Sequence, residues 1–381
     1  ENETNSPLAK YTYDSFDIDG TTTGTLDSIE INKDTINVNL YYKQNAKLII
    51  VYLEIIGNNV SNAQQIPGID ADNIDVYKNV SSVKTEKEKN AIFNKYVYHG
   101  YNLDGMNNAN LSNIIINKDT TVVRFYYKKR ATITIKYWEK NGENDTAKQI
   151  ENITDSDNVF YGDSYDVTVN KSATEKNNEA FKELEYKTFT SNGSPNADLS
   201  KIGINQDEVV VNLYYSRIAN INVKHLDEYT GKPVSGDANG VDIRANFGDA
   251  YSSFDIRKKD ITGYDYSKTV STPTDITGKV NQDTTTITHY YKKKATITVN
   301  YYKEGTTEKL ADSDTLIKYY GDSYDVSTDA YKHKSTIPNK YEYASVSPAN
   351  KVKGTVSQDT ITVNYYYKLK LFGRLCILHR I

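Results

Sequence analysis

The chain of 381 residues is long enough for several domains of ordinary size, and Lys+Arg 46 against Asp+Glu 50 leave a formal net charge of -4. That near-balance argues against nucleic acid as a partner, because phosphate binding needs a basic excess on one face. No run approaches the roughly 20 apolar residues of a membrane helix, so no membrane insertion is expected, and the single cysteine, Cys376, rules out an internal disulfide framework and a Cys-based zinc site. The sequence opens at Glu1 with no initiator Met and no signal pattern, and reads as an excised or mature piece. The 34 tyrosines are then the expected source of stability. Tyr couples a large apolar area to a hydroxyl that tolerates water, which suits thin β modules with one wet face.

In chain order, the first clear element is the strand Asp34–Lys43 (DTINVNLYYK), and its pattern returns at Asp119–Lys128, Asp207–Ser216, Asp283–Lys292 and Asp359–Lys368. The second Tyr of each pair falls at 42, 127, 215, 291 and 367, a spacing of 85, 88, 76 and 76 residues, the size of one small domain. Four residues after each of the first four pairs an opening strand begins, led by Ala46, Ala131, Ala219 and Ala295. A third landmark recurs as Tyr161-Gly-Asp-Ser-Tyr-Asp, Phe247-Gly-Asp-Ala-Tyr and Tyr320-Gly-Asp-Ser-Tyr-Asp, blurred near Ile74–Tyr77 in the first full repeat. A fourth is an aromatic pair, as in Tyr264/Tyr266 and Tyr341/Tyr343.

Alternation of apolar and polar residues marks these strands as half-buried. Ile36, Val38, Leu40 and Tyr42 should face inward, as should Val209, Val211, Leu213 and Tyr215 in a later copy and Ala131, Ile133, Ile135 and Tyr137 in an opening strand. Turns are expected at Asn141-Gly142, Thr230–Pro233 and Glu304-Gly305. Helix is expected only at Thr85–Asn94 and Thr174–Leu184. The organisation is therefore 1–44, the C-terminal part of a truncated repeat; 45–128, a divergent repeat; 129–216, 217–292 and 293–368, three further repeats; and 369–381, an atypical tail. Three-residue junctions such as Lys128–Arg130 and Lys292–Lys294 span about 10 Å. They predict a semi-rigid, monomeric rod in which each module mainly contacts its neighbours. In the tail an Ala-led strand is due at position 371, yet the composition turns to Leu, Arg and Cys, which reads as a truncated or out-of-frame end.

These landmarks resemble the MucBP (mucin-binding protein) repeat of surface adhesins from Gram-positive bacteria. The resemblance rests on the opening strand and turn Ile221–Val234, the Gly-Asp-x-Tyr step, the Gly-Tyr-x-Tyr segment at Gly263, and the Asp-to-Tyr-Tyr-Lys ending. It runs from about residue 10 to 368, is best in the repeats starting near 219 and 295, and is weakest in the one starting near 46. It implies a mainly β, β-grasp-like fold in tandem, export to the cell surface with cell-wall attachment of the full-length protein, and adhesion to host mucin or other glycoprotein glycans. It carries no binding residues across, because the matching positions are core and turn.

Chemistry is sparse. His99, His225, His289, His333 and His379 are scattered, with His289 and His225 on inward faces where packing accounts for them. No phosphate loop, HExxH or G-x-S-x-G occurs, so neither catalytic residues nor a cofactor is assigned and no enzyme is expected. Asp163 and Asp166, near Asp155 and Asp157, could suggest calcium, but they lack the regular ligand spacing of an EF-hand loop and read as turn caps. The outward tyrosines Tyr41, Tyr126, Tyr214, Tyr290 and Tyr366, with the sole tryptophan Trp138, are the ligand-binding candidates, since aromatic faces stack on sugar rings. The competing reading packs them on a cross-strand or neighbouring partner. The basic junctions could attract acidic glycans, or simply guard edge strands. The expected function is a multivalent adhesin fragment. A passive stalk, or an ancillary region of a carbohydrate-active enzyme, stays open beside it.

Overall fold

The computed structural model describes residues 7–22, 25–75, 79–107, 111, 114, 119–195, 198–234 and 240–370. The chain divides into two compact units, one made of residues 1–138, 149–182 and 187–214, the other of 139–148, 183–186 and 215–381.

In the first unit, the opening strand Lys47–Ile56 runs parallel to the start of Thr120–Glu139, with Lys47 opposite Thr120 and Ile55 opposite Lys128. Asn59–Gln65 and Asp72–Asp75 pair antiparallel on its free side, and Tyr96–Leu103 pairs antiparallel with the closing strand. The spatial order is therefore second, opening, closing, third. A parallel central pair flanked by two antiparallel strands cannot be made by hairpins alone, and needs a long crossover between opening and closing strands. The helix Val80–Lys87 lies in that crossover, capped where Asn79 Oδ1 accepts from the Ser82 N–H at 3.1 Å. It brings Val80 to a core of Leu48, Ile50, Tyr52, Val123, Phe125 and Tyr127. The second repeat places Lys148–Phe160 and Glu208–Asp227 on either side of the opening half of Thr120–Glu139. Its helix, Val167–Asn177, is capped by Asp166, whose Oδ1 accepts from the Thr168 N–H at 2.9 Å.

The second unit holds two more copies of this order. Asn220–Asp227 is parallel to Thr284–Tyr291, with Val241–Asn246 and Tyr264–Thr272 outside them. Thr296–Lys303 is parallel to Thr360–Tyr367, with Lys309–Tyr319 and Tyr341–Ser347 outside. The predicted inward sets fill the cores: Ala131, Ile133, Ile135 and Tyr137, and Val209, Val211, Leu213 and Tyr215, are all buried.

Four expectations are corrected. The α-helices begin earlier than predicted, at Val80–Lys87 and Val167–Asn177, while the expected spans Thr85–Asn94 and Thr174–Leu184 hold their last residues and the 3₁₀ turns Ala91–Lys95 and Glu179–Phe181. The caps Asn79 and Asp166 start them, outweighing the poor helix propensity of Val and Thr in the first turns. The three-residue junctions do not separate two strands. Thr120–Glu139 and Thr284–Lys303 are each one unbroken strand through the lysine run. The reason lies in parity, since Ile287, His289 and Tyr291 before the junction and Ala295, Ile297 and Val299 after it share the odd-numbered face. Finally, Val38 and Leu40 are exposed: among the described residues Val38–Gln44 pairs with Tyr11–Ile18 in a two-stranded sheet, without a third strand to close a core. Residues 371–381 of the tail lie outside the described residues, as do Val76 and Tyr77 of the blurred landmark.

Glycine of the Gly-Asp landmark has a reason beyond the turn. Gly162, Gly248 and Gly321 take φ of +85°, +87° and +87°. A Cβ on Gly162 would lie 2.5 Å from the Gly57 nitrogen, and one on Gly248 2.3 Å from the Asn141 oxygen. Both neighbours are turns that follow an opening strand, and both contacts fall within a unit. The corresponding atom at Gly321 would meet the ring of Tyr229 at 2.6 Å.

Candidate functional site

One face of each sheet lines a core, and the strand residues that alternate with it, on the other face, are mostly half-buried. The parallel register fixes what stands there. Tyr126 is opposite Leu53, Tyr290 opposite Leu226, and Tyr366 opposite Tyr302. In the fourth repeat the rings of Tyr302 and Tyr366 lie 6.1 Å apart at 31°, both half-buried. Beside them Asn300 Nδ2 donates to Asn364 Oδ1 at 2.8 Å, and Ser313 Oγ donates to Asn300 Oδ1 at 2.6 Å. An open groove of about 750 Å³ borders this pair on the Tyr366 side, lined by Glu304, Gly305, Thr306, Thr307, Ser345 and Tyr366. Two aromatic rings flanked by amides and hydroxyls, with Glu304 on the groove lining and Lys309 Nζ donating to Ser313 Oγ at 3.1 Å, suit a polyhydroxylated ligand that offers both C–H and O–H surface.

The other candidates are placed differently. Trp138 is half-buried, and its Nε1 donates to Asn212 Oδ1 at 2.8 Å, so its polar edge is spent on the closing strand. Tyr214 is half-buried. Tyr290 lies under the Lys268 ammonium, 5.3 Å from its ring centre. Tyr126 keeps only 9% exposure. Tyr41 is exposed on the leading sheet, where its hydroxyl donates to Asp17; that hydrogen bond is the main cause that raises the Tyr41 pKa, with burial adding to it. Tyr41 has no opening strand beside it and no partner ring across the sheet among the described residues.

The four acids around the Tyr161-Gly-Asp-Ser-Tyr-Asp landmark bond to neighbouring elements of the fold. Asp155 Oδ2 accepts from the Tyr137 hydroxyl at 2.6 Å and from Thr174 Oγ1 at 2.8 Å. Asp157 accepts from Tyr165, Asp163 pairs with Lys128 at 3.5 Å, and Asp166 caps its helix. Among the described residues no group of three or more His, Cys, Asp or Glu is placed to hold a metal ion. The junction lysines are likewise engaged. Lys129 pairs with Asp207, Lys293 with Asp359, and Lys294 with Asp265 at 2.7 Å. The Lys293 pKa is raised chiefly by its hydrogen bond to Asp359.

Two sets of residues escaped sequence reasoning. The first is a recurring pair beneath the platform: Tyr52 and Asp72, Tyr137 and Asp155, Tyr301 and Asp314, each joined hydroxyl to carboxylate. Burial, then the carboxylate bond, raises the pKa of all three phenols and keeps them protonated donors. Lys87 and Lys334 complete the pair in two repeats, at 2.8 and 2.7 Å from Asp72 and Asp314. Burial pushes the Asp314 carboxyl up, but the Lys334 and Tyr301 hydrogen bonds outweigh it and leave its pKa lowered. In the third repeat His225 stands at the tyrosine position and stacks at 5.1 Å on His289, which occupies the closing-strand position of Phe125 and Tyr365; both histidines are buried. His289 Nε2 reaches the Ile256 carbonyl at 2.9 Å and its Nδ1 meets Thr269 Oγ1 at 2.7 Å. The second missed set is Tyr302, Asn300 and Asn364. Tyr302 occupies the position that holds Trp138 in the second repeat, and that equivalence was readable from the Ala131 and Ala295 alignment.

The described chain is thus mainly β, built from tandem copies of a four-stranded module, each with a closed aromatic core and an outward sheet face. The MucBP domain model matches residues 220–292 and 296–368, so the chain carries two MucBP domains where the third and fourth repeats stand. No curated protein matches the chain. Among solved structures it is similar to the Bacillus anthracis TIE protein, at 10% identity over 66% of this chain and 52% of that one, with a TM-score of 0.19. It is also similar to the type 2 repeat of the mucus binding protein MUB from Lactobacillus reuteri, at 12% identity, 62% and 98% coverage and a TM-score of 0.14. The pilus adhesin SpaC from Lactobacillus rhamnosus GG matches at 9% identity, 68% and 45% coverage and a TM-score of 0.16. The chain spans about half the length of the TIE and SpaC chains that it matches. No helix among the described residues is long and apolar enough to cross a membrane.

Proposed function

We propose that this chain is part of a multivalent, cell-surface adhesin whose MucBP-type repeats bind glycans of host mucin or related glycoproteins, without catalysis. The observation that carries this reading is the half-buried Tyr302/Tyr366 ring pair with its Asn300–Asn364 and Ser313 flank. A sugar ring laid on such a platform keeps its C–H face on the phenols and its hydroxyls within reach of amides. A single shallow site of this kind binds weakly, and several on one chain gain avidity when a glycoprotein presents many copies of the ligand.

The test is a mucin-binding and glycan-array comparison of the full chain with a Tyr302→Ser/Tyr366→Ser double variant. Binding that falls at least tenfold in the variant, with unchanged circular dichroism, supports the reading; undiminished binding refutes the placement. A flat result for the folded wild-type chain favours the second reading, a stalk that spaces another domain from the cell wall. The unbroken strands Thr120–Glu139 and Thr284–Lys303 support that alternative.

A further inference from the structure

We propose that the parallel opening–closing strand pair of each repeat is a shear clamp, so that the chain acts as a load-bearing tether that stays folded under tension. This inference does not depend on what, if anything, the outward face binds.

The argument starts from where tension enters and leaves a repeat. In the fourth repeat, chain arriving from the preceding repeat enters at Lys294, and chain leaving departs after Lys368. The entry strand Thr296–Lys303 and the exit strand Thr360–Tyr367 are adjacent, parallel and aligned over eight register positions. Pulling the first toward its N-terminus and the second toward its C-terminus slides one along the other. All the slanted, evenly spaced bonds of a parallel ladder then carry load together, whereas an antiparallel hairpin pulled at its open end yields one bond at a time.

Both ends of this ladder are closed. The Thr296 N–H donates to the Asp359 carbonyl at 2.9 Å where load enters, and the Glu304 N–H donates to the Tyr367 carbonyl at 2.9 Å where it leaves. The third repeat repeats the device, with Asn220 to Asp283 and Glu228 to Tyr291, both at 2.8 Å. In the first repeat Lys47 donates to Asp119 at 3.0 Å, and nine positions align.

Side chains bridge the same interface on both faces. Tyr301 stacks on Tyr365 at 6.2 Å in the core, Tyr302 meets Tyr366 outside, and Asn300 bonds Asn364. Load also meets no soft link between the third and fourth repeats, because the exit strand of one is the entry strand of the next, Thr284–Lys303. The crossover and the outer strands lie outside the loaded path until the clamp parts.

The experiment is single-molecule pulling of the full chain, with Cys376→Ser and two alternative pairs of attachment cysteines at exposed positions. Lys294→Cys with Lys368→Cys pulls the fourth repeat from opposite ends of the parallel pair, in shear. Glu304→Cys with Lys368→Cys pulls it from the same end, so the pair unzips. The proposal expects an unfolding force several-fold higher in the first geometry at equal pulling speed. Pulling the chain by its two ends should also give separate force peaks, each releasing on the order of 250 Å of chain per repeat. Equal forces in the two attachment geometries, or unfolding from the ends at the unzipping force, would overturn it.

Discussion

Replacing Gly248 by alanine puts a methyl group 2.3 Å from the Asn141 carbonyl oxygen and 2.8 Å from the Gly142 Cα, at a backbone φ of +87°. Both obstacles are backbone, so neither can swing aside as a side chain would. Holding an L-residue in the left-handed region costs roughly 1–2 kcal/mol, and forcing extra volume into a packed contact adds about 1–3 kcal/mol. The expected loss is therefore about 2–5 kcal/mol. Gly263 supplies the matched control, since its φ is +82° and nothing lies within 4 Å of its Cβ position. Gly263→Ala should show the conformational cost alone, about 1–2 kcal/mol. Urea unfolding of both variants followed by circular dichroism separates the two contributions. If Gly248→Ala loses no more stability than Gly263→Ala, the close approach of the landmark glycine to the Asn141-Gly142 turn is wrong, and with it the reason why glycine recurs at Gly162 and Gly321.

Three further outcomes are expected. Tyr301→Phe removes the hydroxyl that donates to Asp314 and leaves that carboxylate to Lys334 alone, so urea unfolding should show a loss of about 1.5–3 kcal/mol; an unchanged midpoint would mean that the bond contributes nothing. His289 has its pKa lowered mainly by burial, against an opposing hydrogen bond to Ile256, so folding favours its neutral form. Its contribution to stability is complete above the unfolded value of about 6.5 and is lost as pH falls from there through the lower folded value. Wild-type stability should therefore drop more steeply from pH 7 to 5 than that of His289→Leu, and parallel curves would refute the assignment. Asp166→Ala removes the helix cap on Thr168 and should cost about 1 kcal/mol, read from the same urea titration; no loss would show that the cap is not used.

Much of the fold was legible because a period-2 pattern and a repeated ending both report the same constraint. Val209, Val211, Leu213 and Tyr215 read as inward and are buried, since a strand with one covered face has no other way to satisfy them. The parallel pairing was not legible, because alternation shows which face a residue takes but not which strand lies beside it. The junctions misled for a related reason. Lys292–Lys294 read as a short joint separating two strands, yet their parity continues that of both neighbours. The helices began early because one cap side chain decided the start, and Asn79 and Asp166 are common residue types in this sequence. Of the candidate site, Tyr366 was found by parity, but its partner Tyr302 needs the parallel register to be recognised. The burial of Tyr126 could not be read from strand alternation, which assigns it to the outward face.

The most direct test of the binding account is an NMR titration of the isotope-labelled full chain with mucin-type O-linked oligosaccharides, read at adjacent tyrosines. The account predicts shifts at Tyr302 and Tyr366 and at the amides of Asn300 and Asn364, while Tyr301 and Tyr365 in the core stay still. Absence of any shift at saturating sugar, or shifts that spare Tyr302 and Tyr366, would contradict it.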